Sequence, residues 1–294
     1  MSALKNTCML VILCMALWAC SNSNEPNYPE QEIIKGKITK ELTSNGTVRE
    51  YIIYIPQNYT GKTSYPLVLS FHGLTSNMEF NYDYTKFSDL AETEQFIAVH
   101  PNGINKKWNV ANINNPDIDF IEALLSQLEE DYNIESKRIY STGMSNGGIF
   151  SFSLACNLSN KIASIASVTG TMLPIDSAFN NCNPTRAISV LEIHGTADPI
   201  IDYSTVERTL DFWNTHNNTD MNPIISEIPN IDLNDRSSVE LFQYLNGDEG
   251  VKVEHLKIIG GGHDWPGFRG NMDISATEEV WSFMKKFDLN GKIE

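Results

Sequence analysis

Three residues that lie far apart in the chain could together perform nucleophilic chemistry: Ser145, Asp198 and His263. Ser145 is the central residue of a Gly-x-Ser-x-Gly pentapeptide, Gly143–Gly147. A serine hydroxyl is a weak nucleophile at neutral pH, and it needs a neutral imidazole to take its proton. The imidazole needs a carboxylate at its other nitrogen, which fixes the tautomer and stabilises the imidazolium. These residue types therefore favour acyl transfer through a covalent intermediate.

The residues around Ser145 predict a sharp turn between a strand and a helix. Glycine costs a helix about 1 kcal/mol relative to alanine, yet Gly147–Gly148 stands where the first helical turn should be. A turn this tight brings its flanking positions so close that side chains would collide. It would also aim backbone N–H groups and the positive end of the helix at one spot beside the hydroxyl. We expect the Asn146 N–H to be one oxyanion donor and the Leu74 N–H to be the other, with Thr75 as the nearest substitute.

Six histidines could supply the general base, and His263 is the best placed of them. It lies on a glycine-rich turn after the last predicted strand, where an imidazole can reach across the edge of the sheet. His72 and His194 each end a buried strand as His-Gly, where the usual role is structural. The alternative for His263 is a solvated loop histidine.

Asp198 is the best candidate for the carboxylate. It follows a buried strand within the segment His194–Ile200, and it gives the chain order Ser, Asp, His that α/β-hydrolases use. Asp202 is the first alternative and Asp176 the second. Asp198 could also serve only to cap the turn in which it lies.

Strand-like and helix-like segments alternate around these residues, which predicts an α/β fold with a doubly wound, mostly parallel sheet. Apolar runs predict strands at 66–71, 96–100, 138–144, 162–168, 188–193 and 251–259, after an antiparallel hairpin at 33–40 and 48–55. Helices are predicted from residue 116, over 149–156 and over 275–287, and residues 215–237 are expected to form an irregular insertion. Ligands of such sheets bind at the carboxyl ends of the strands, where Ser145 and His263 both fall.

Composition and charge exclude some classes of function. The chain has 294 residues, of which 41% are hydrophobic and 20% charged, and its formal net charge is −16. Such acidity argues against binding to nucleic acid and against electrostatic docking on anionic lipid. No spacing of His, Cys and carboxylate residues suggests a metal site.

The N-terminal segment indicates export. Lys5 precedes an apolar run from Cys8 to Ala19, which is too short to span a membrane and is typical of a signal peptide. The run ends at Cys20, as in a bacterial lipoprotein signal whose cysteine becomes lipidated. We therefore expect a signal peptide at 1–19, a tether at 20–31 and a single catalytic domain at 32–294. The protein would be held at the outer membrane, the periplasm or the cell surface, with plain secretion as the alternative.

Cys156 and Cys182 would remain as a single cysteine pair in the mature protein. In an exported protein a disulfide between them is the natural expectation, and two independent buried thiols are the alternative.

Five blocks of the sequence together resemble the bacterial secreted poly(hydroxybutyrate) depolymerase and feruloyl esterase family. The blocks are His72-Gly73, Trp108-Asn109, Gly143–Gly148, His194–Asp198 and Gly261–Gly267, and the resemblance covers roughly residues 48–287. It implies the α/β-hydrolase fold, a triad of Ser145, Asp198 and His263, no cofactor, and cleavage of carboxylic esters. It also suggests the Cys156–Cys182 bridge.

The substrate is less well defined by the sequence. We expect feruloyl or acetyl esters borne by a plant or algal polysaccharide, or small esters of the same kind, with hydroxyalkanoate oligomers as the alternative. Trp108 and Trp265, with Tyr82 or Tyr84, could form an aromatic wall for a feruloyl group or a sugar, or some of them could lie in the core. An acyltransferase on the same fold and a non-catalytic carbohydrate-binding lipoprotein of the cell surface are the remaining alternatives.

Overall fold

A twisted ten-stranded sheet forms the centre of the molecule. The structure is a computed structural model, and it describes residues 33–111, 114–173 and 175–293. The strands of this sheet are β1 (Gly36–Ser44), β2 (Thr47–Ile55), β3 (Tyr65–Phe71), β4 (Ile97–Pro101), β5 (Ile134–Met144), β6 (Ser164–Val168), β7 (Ser189–Gly195), β8 (Ile224–Ile228), β9 (Ser238–Tyr244) and β10 (Val253–Ile259). The short strands β11 (Phe287–Asp288) and β12 (Gly291–Lys292) pair only with each other.

Seven α-helices of the described residues connect these strands. They are α1 (Met78–Thr85), α2 (Phe87–Glu94), α3 (Pro116–Asp131), α4 (Asn146–Asn157), α5 (Ile175–Asn180), α6 (Ser204–Asn217) and α7 (Ala276–Met284). Short 3₁₀ turns occur at Ile104–Lys106 and Asp248–Gly250.

The order of the strands is β1-β2-β4-β3-β5-β6-β7-β10-β9-β8. The six central strands from β4 to β10 are parallel to one another, whereas β1 and β2 at one edge and β9 and β8 at the other pair antiparallel. The predicted α/β-hydrolase fold, with its N-terminal antiparallel hairpin, is confirmed.

The central strands are buried on both faces, as their unbroken apolar runs predict. In β3, Leu67 and Leu69 point into the core on the side of α3, α4 and α6, and Val68 points into the core on the side of α1, α2 and α7. Alternate side chains of one strand therefore supply both cores. This double burial fixes the register of the strands, and so the positions of the loops at their carboxyl ends.

The structure differs from the expectation for residues 215–237. That segment contains the end of α6 and the strand β8, which pairs antiparallel with β9. β8 is a sheet edge whose residues are mostly exposed, so its sequence carries no alternation of buried and exposed positions. The helices α1 and α2 were also not predicted, because short polar segments give little periodic signal.

The predicted signal peptide, the whole of the predicted tether and the lipidation site Cys20 lie outside the described residues. Within the described part of the chain, no helix has the length and apolar character needed to cross a membrane. The same part contains no cluster of three His, Cys, Asp or Glu residues that could hold a metal ion. The residues from Ile33 on form one compact unit.

Candidate active site

Ser145 occupies the turn between β5 and α4 in a strained backbone conformation. Its φ and ψ angles are 55° and −119°, a region that L-residues rarely adopt and that costs about 1–3 kcal/mol. The Ser145 N–H donates to the carbonyl of Val168 in the neighbouring strand at 2.8 Å, and its carbonyl accepts from Ile149 N at 2.9 Å. The turn is therefore held from both sides, which lets the strain persist.

The turn is possible only because Gly147 has no side chain. A Cβ atom at Gly147 would lie 2.1 Å from the carbonyl oxygen of Phe71, and one at Gly143 would lie 2.6 Å from the same oxygen. This oxygen is a backbone atom of β3, so no side-chain rotation could relieve either clash. The predicted strand-turn-helix geometry at Ser145 is present.

The loops that carry Asp198 and His263 lie against each other because β7 and β10 are parallel neighbours. The Ala197 N–H donates to the carbonyl of Gly261 at 2.9 Å. A Cβ atom at Gly195 would lie 2.2 Å from that same Gly261 oxygen. Residues 65 positions apart in the chain are thus brought into hydrogen-bonding distance.

Asp198 and His263 form a well-defined pair. Nδ1 of His263 lies 2.7 Å from Oδ2 of Asp198, whose side chain is fully buried, while 17% of the His263 side chain is exposed. Oδ1 of Asp198 accepts the N–H groups of Ile200 and Ile201 at 2.8 and 3.0 Å. Burial raises the pKa of Asp198. Hydrogen bonds from His194, His263 and these two N–H groups lower it by more, so the pKa of this carboxyl group lies well below its usual range. The ionised carboxylate fixes the imidazole through Nδ1, and none of the hydrogen bonds among the described residues uses Nε2.

Ser145 and His263 line the same open cavity, which has a volume of about 470 Å³. The rest of its wall consists of the segment 73–77, Phe80, Tyr84 and Met144. The cavity lies at the carboxyl ends of the strands, where a ligand site is expected in such a sheet.

The two expected oxyanion donors, Leu74 and Asn146, belong to the two segments that meet at this cavity. The alternative donor, the Thr75 N–H, is occupied, because it donates to the carbonyl of Lys106 at 2.8 Å. Among the described hydrogen bonds none uses the N–H of Leu74, and the N–H of Asn146 is at the first turn of α4, where helices leave such groups unpaired.

Trp108 holds the segment that carries Leu74. Its indole Nε1–H donates to the carbonyl of His72 at 3.0 Å, and its ring stacks on Phe150 with centroids 5.0 Å apart. The side chain of Asn146 accepts from the Trp108 N–H at 2.6 Å and donates to the Trp108 carbonyl at 3.2 Å. Trp108 thereby ties the loop after β3 to the helix that follows Ser145.

The expected substrate wall of Trp108 and Trp265 needs correction. The two residues are only 3% and 2% exposed, and neither lines the cavity at Ser145. Trp265 borders a neighbouring cavity and donates its indole N–H to Thr277 Oγ1 at 3.1 Å. Phe80, which no sequence pattern identifies as a site residue, lines the Ser145 cavity and is 55% exposed.

The remaining candidates have structural surroundings. Asp202 accepts the N–H of Ser204 at 2.8 Å near the start of α6, and the side chain of Asp176 lies outside the described residues. Cys156 and Cys182 form a disulfide in the structure. Sequence reasoning also missed Glu192, a fully buried carboxyl group; a charged residue inside the apolar run of β7 was the signal that could have identified it.

Comparison with protein families and known proteins finds similarity to carboxylic-ester hydrolases. The family model described as Phospholipase/Carboxylesterase matches residues 97–234. The chain is 27% identical to the bifunctional acetylxylan esterase/xylanase XynS20E of Neocallimastix patriciarum over 94% of its own length and 39% of that protein. It is 28% identical to feruloyl esterase D of Neurospora crassa over 83% of its length and 84% of that protein.

Solved structures show the same fold. An acetyl xylan esterase from Aspergillus awamori superposes with a TM-score of 0.64 and 15% identity, covering 84% of this chain and 99% of that one. A feruloyl esterase module from Clostridium thermocellum, complexed with sinapinate, superposes with a TM-score of 0.61 and 14% identity, covering 84% of this chain and 88% of that one.

These relatives support the feruloyl esterase part of the resemblance and give no support to the poly(hydroxybutyrate) depolymerase part. The chain has the α/β-hydrolase fold, and the curated proteins that it resembles over most of its length are carboxylic-ester hydrolases.

Proposed function

We propose that the chain hydrolyses feruloyl or acetyl esters of plant polysaccharide through Ser145, His263 and Asp198. The observation that carries the proposal is the cavity that both Ser145 and His263 line, with Oδ2 of Asp198 2.7 Å from Nδ1 of the imidazole. The names of the feruloyl and acetylxylan esterase relatives suggest the substrate class.

The geometry supports a two-step reaction. His263, with Nδ1–H directed at Asp198, takes the Ser145 proton on Nε2 while the serine oxygen attacks the ester carbonyl. The N–H groups of Leu74 and Asn146 stabilise the oxyanion. His263 then gives the proton to the departing alcohol, and an activated water molecule cleaves the acyl-enzyme by the same sequence. Nothing in this scheme requires a cofactor.

The exposed apolar side chains beside Ser145 favour an aromatic acyl group. Leu74 and Phe80 line the cavity and are 58% and 55% exposed, and the Phe80 ring lies 5.2 Å from that of Tyr84. A feruloyl ring placed against Phe80 would cover this surface and gain about 0.5–1.5 kcal/mol beyond its area burial. An acetyl group would leave it uncovered.

A substrate panel with matched variants tests the proposal. Wild-type protein, Ser145→Ala and the control Ser226→Ala on the exposed edge strand β8 are assayed on methyl ferulate, acetylated xylan and short hydroxybutyrate oligomers. We expect Ser145→Ala to lose about 10⁶ in kcat and the control to lose nothing. A fluorophosphonate probe should label the peptide containing Ser145. A wild-type protein that neither reacts with the probe nor cleaves any ester would refute catalysis and favour a binding protein.

The same panel separates the acyl groups. Phe80→Ala should raise KM for methyl ferulate about tenfold, since about 1.4 kcal/mol of ring contact corresponds to that factor. It should leave KM for acetylated xylan unchanged. Phe268→Ala is the matched control, because Phe268 is an exposed ring that borders the neighbouring cavity instead. Hydrolysis of the hydroxybutyrate oligomers alone would replace the proposed substrate class by the alternative one.

Export and anchoring are further parts of the proposal. The N-terminal pattern ending at Cys20 predicts cleavage and lipidation. Metabolic labelling with an alkyne fatty acid should mark the wild-type protein, and Cys20→Ser should abolish the label. A label retained in that variant would exclude Cys20 as the attachment site.

A further inference from the structure

A buried carboxyl–imidazole pair lies directly behind Asp198. Glu192 and His194 are both in β7, and the side chains of both are fully buried. Oε1 of Glu192 lies 3.0 Å from Nδ1 of His194. Ionisable groups at this depth cost desolvation free energy unless they are well partnered. The reaction scheme above gives this pair no role.

The other nitrogen of His194 faces the turn that carries Asp198. Nε2 lies 3.1 Å from the carbonyl oxygen of Ile201 and 3.3 Å from Oδ2 of Asp198. A carbonyl oxygen and an ionised carboxylate can only accept hydrogen bonds, so His194 Nε2 must carry a hydrogen. Ile201 in turn donates its N–H to Oδ1 of Asp198 at 3.0 Å. His194 thus contacts the Asp198 turn both directly and through Ile201.

Besides the hydrogen on His194 Nε2, the pair holds a second proton. The surrounding groups leave this proton between Glu192 and His194. His255 of β10 donates Nδ1–H to the Glu192 carbonyl at 2.9 Å, and its Nε2 lies 2.9 Å from the hydroxyl of Tyr203. Burial lowers the pKa of His255 to about 4, so this imidazole is neutral. The positive charge of Lys257 also lowers the pKa of His255. The centroid of the Tyr203 ring lies 6.0 Å from that of the His194 ring.

Two placements of this proton are possible, and both give the same result at Nε2. Burial raises the pKa of Glu192, and the hydrogen bond from His194 opposes this. Burial lowers the pKa of His194, but its bonds to Asp198 and Glu192 raise it above the ordinary value. The proton therefore lies on Glu192 Oε1 or on His194 Nδ1. In either case the pair is neutral and the Nε2–H stays directed at the Asp198 turn.

We propose that Glu192 and His194 act as a positioning pair for the triad, by keeping a hydrogen on His194 Nε2 that holds the Asp198 turn in the geometry that His263 needs. The inference rests on the proposed function, since it assigns a purpose to the Asp198–His263 contact. Neither residue lines the substrate cavity, so the pair acts through Asp198 and not on the ester. A pair that served only folding would affect stability and leave the reaction unchanged.

Two amide substitutions separate these roles. In the Glu192→Gln background, which leaves no buried carboxylate unpaired, His194→Gln places an amide N–H near the position of Nε2. His194→Asn places it near Nδ1 and leaves the Asp198 turn without this donor. His255→Leu is the matched control, because it removes a buried imidazole that contacts Glu192 but not Asp198.

We expect the Asn variant to lose about 10²-fold in kcat with KM unchanged, since small displacements of catalytic groups have effects of this size. The Gln variant should recover most of this loss, and His255→Leu should lower the melting temperature without changing kcat. The acid limb of the kcat/KM profile should move to higher pH in the Asn variant, because Asp198 would then give its whole charge to His263. Equal kcat values for the Asn variant and the wild type would overturn the inference.

A second measurement covers the case in which a variant does not fold. Imidazole ¹⁵N spectra of the wild-type protein should show a protonated His194 Nε2 throughout pH 5–8, and an unprotonated Nε2 would refute the pair as described. Failure of the proposed function has a different signature: wild-type protein that is inert towards esters and the fluorophosphonate probe. If the wild type is active and the His194 variants have the same kcat as the wild type, only the positioning pair is refuted.

Discussion

Replacement of Trp108 by phenylalanine tests whether this residue contacts the substrate or anchors the oxyanion loop, which is the segment 72–77 after β3 that carries the proposed donor Leu74. Phenylalanine keeps a ring that can stack on Phe150 but cannot donate to the carbonyl of His72, which now accepts at 3.0 Å from the indole. His72 is itself fully buried, so its carbonyl would be left without this partner in an apolar setting. The Leu74 N–H, two residues further on, would lose its anchor.

The magnitudes follow from this single bond. A buried acceptor left unpaired costs about 1–3 kcal/mol of unfolding free energy, which lowers the melting temperature of a domain of this size by about 2–4 °C per kcal/mol. Loss of a complete oxyanion donor costs about 10²–10³ in kcat. Trp108→Phe displaces a donor and does not delete it, so we expect kcat to fall about tenfold, equally for acetyl and feruloyl esters.

The assay compares kcat and KM on methyl ferulate and on an acetyl ester, together with thermal unfolding. Trp265→Phe is the matched control: it also removes a buried indole donor, but the acceptor is Thr277, outside the oxyanion loop. It should lower the melting temperature and leave kcat unchanged. If Trp108→Phe instead raised KM for the ferulate ester alone, the anchoring role would be refuted and a substrate contact restored.

Three further predictions concern charge and stability. Asp198→Asn should lower kcat by about 10⁴ without unfolding the protein, because the amide no longer fixes the His263 tautomer; circular dichroism and initial rates would check both parts. Burial lowers the pKa of His100 to about 3, so the unfolded chain takes up the proton first, and the unfolding free energy should fall by up to about 1.4 kcal/mol per pH unit between about pH 6.5 and 3. Urea titrations of the wild type and His100→Gln should differ in this slope, and identical slopes would contradict the assignment. Reduction of Cys156–Cys182 should lower the unfolding free energy by about 3 kcal/mol in a chain-entropy model, and an unchanged melting temperature in reductant would contradict that.

The sequence predicted the parts of the site that need a particular residue type. Gly147 is required because backbone atoms of β3 occupy the space of a Cβ, and that requirement is visible as a glycine at a helix start. His263 was predicted because it lies on a glycine-rich turn after the last strand, and Asp198 because it follows a buried strand and gives the chain order Ser, Asp, His. Strands buried on both faces were equally predictable, since their apolar runs are continuous.

What the sequence did not predict depends on burial, which residue type alone does not determine. An indole has a large apolar body and one donor, so Trp108 suits a substrate wall and a core anchor equally well. Only the contacts with Phe150 and His72 distinguish the two roles. The edge strand β8 was missed for the opposite reason, because exposed positions on both faces leave no periodic pattern.

The proposed catalytic groups are largely buried, whereas the side chains proposed to select the acyl group are exposed. This difference determines which substitutions can change substrate preference. The side chain of Asp198 is fully buried with donors on both oxygens, and the Ser145 backbone is hydrogen-bonded to Val168 and Ile149. Substitution there would therefore strain the backbone or leave charges unpaired. Leu74 and Phe80 are more than half exposed, so replacing them removes little buried apolar surface. Variants at these two positions should therefore retain the melting temperature and kcat on an acetyl ester while losing discrimination for feruloyl esters. A large loss of stability at either position would show that these side chains also contribute to the hydrophobic core. Specificity and stability would then be coupled in this protein.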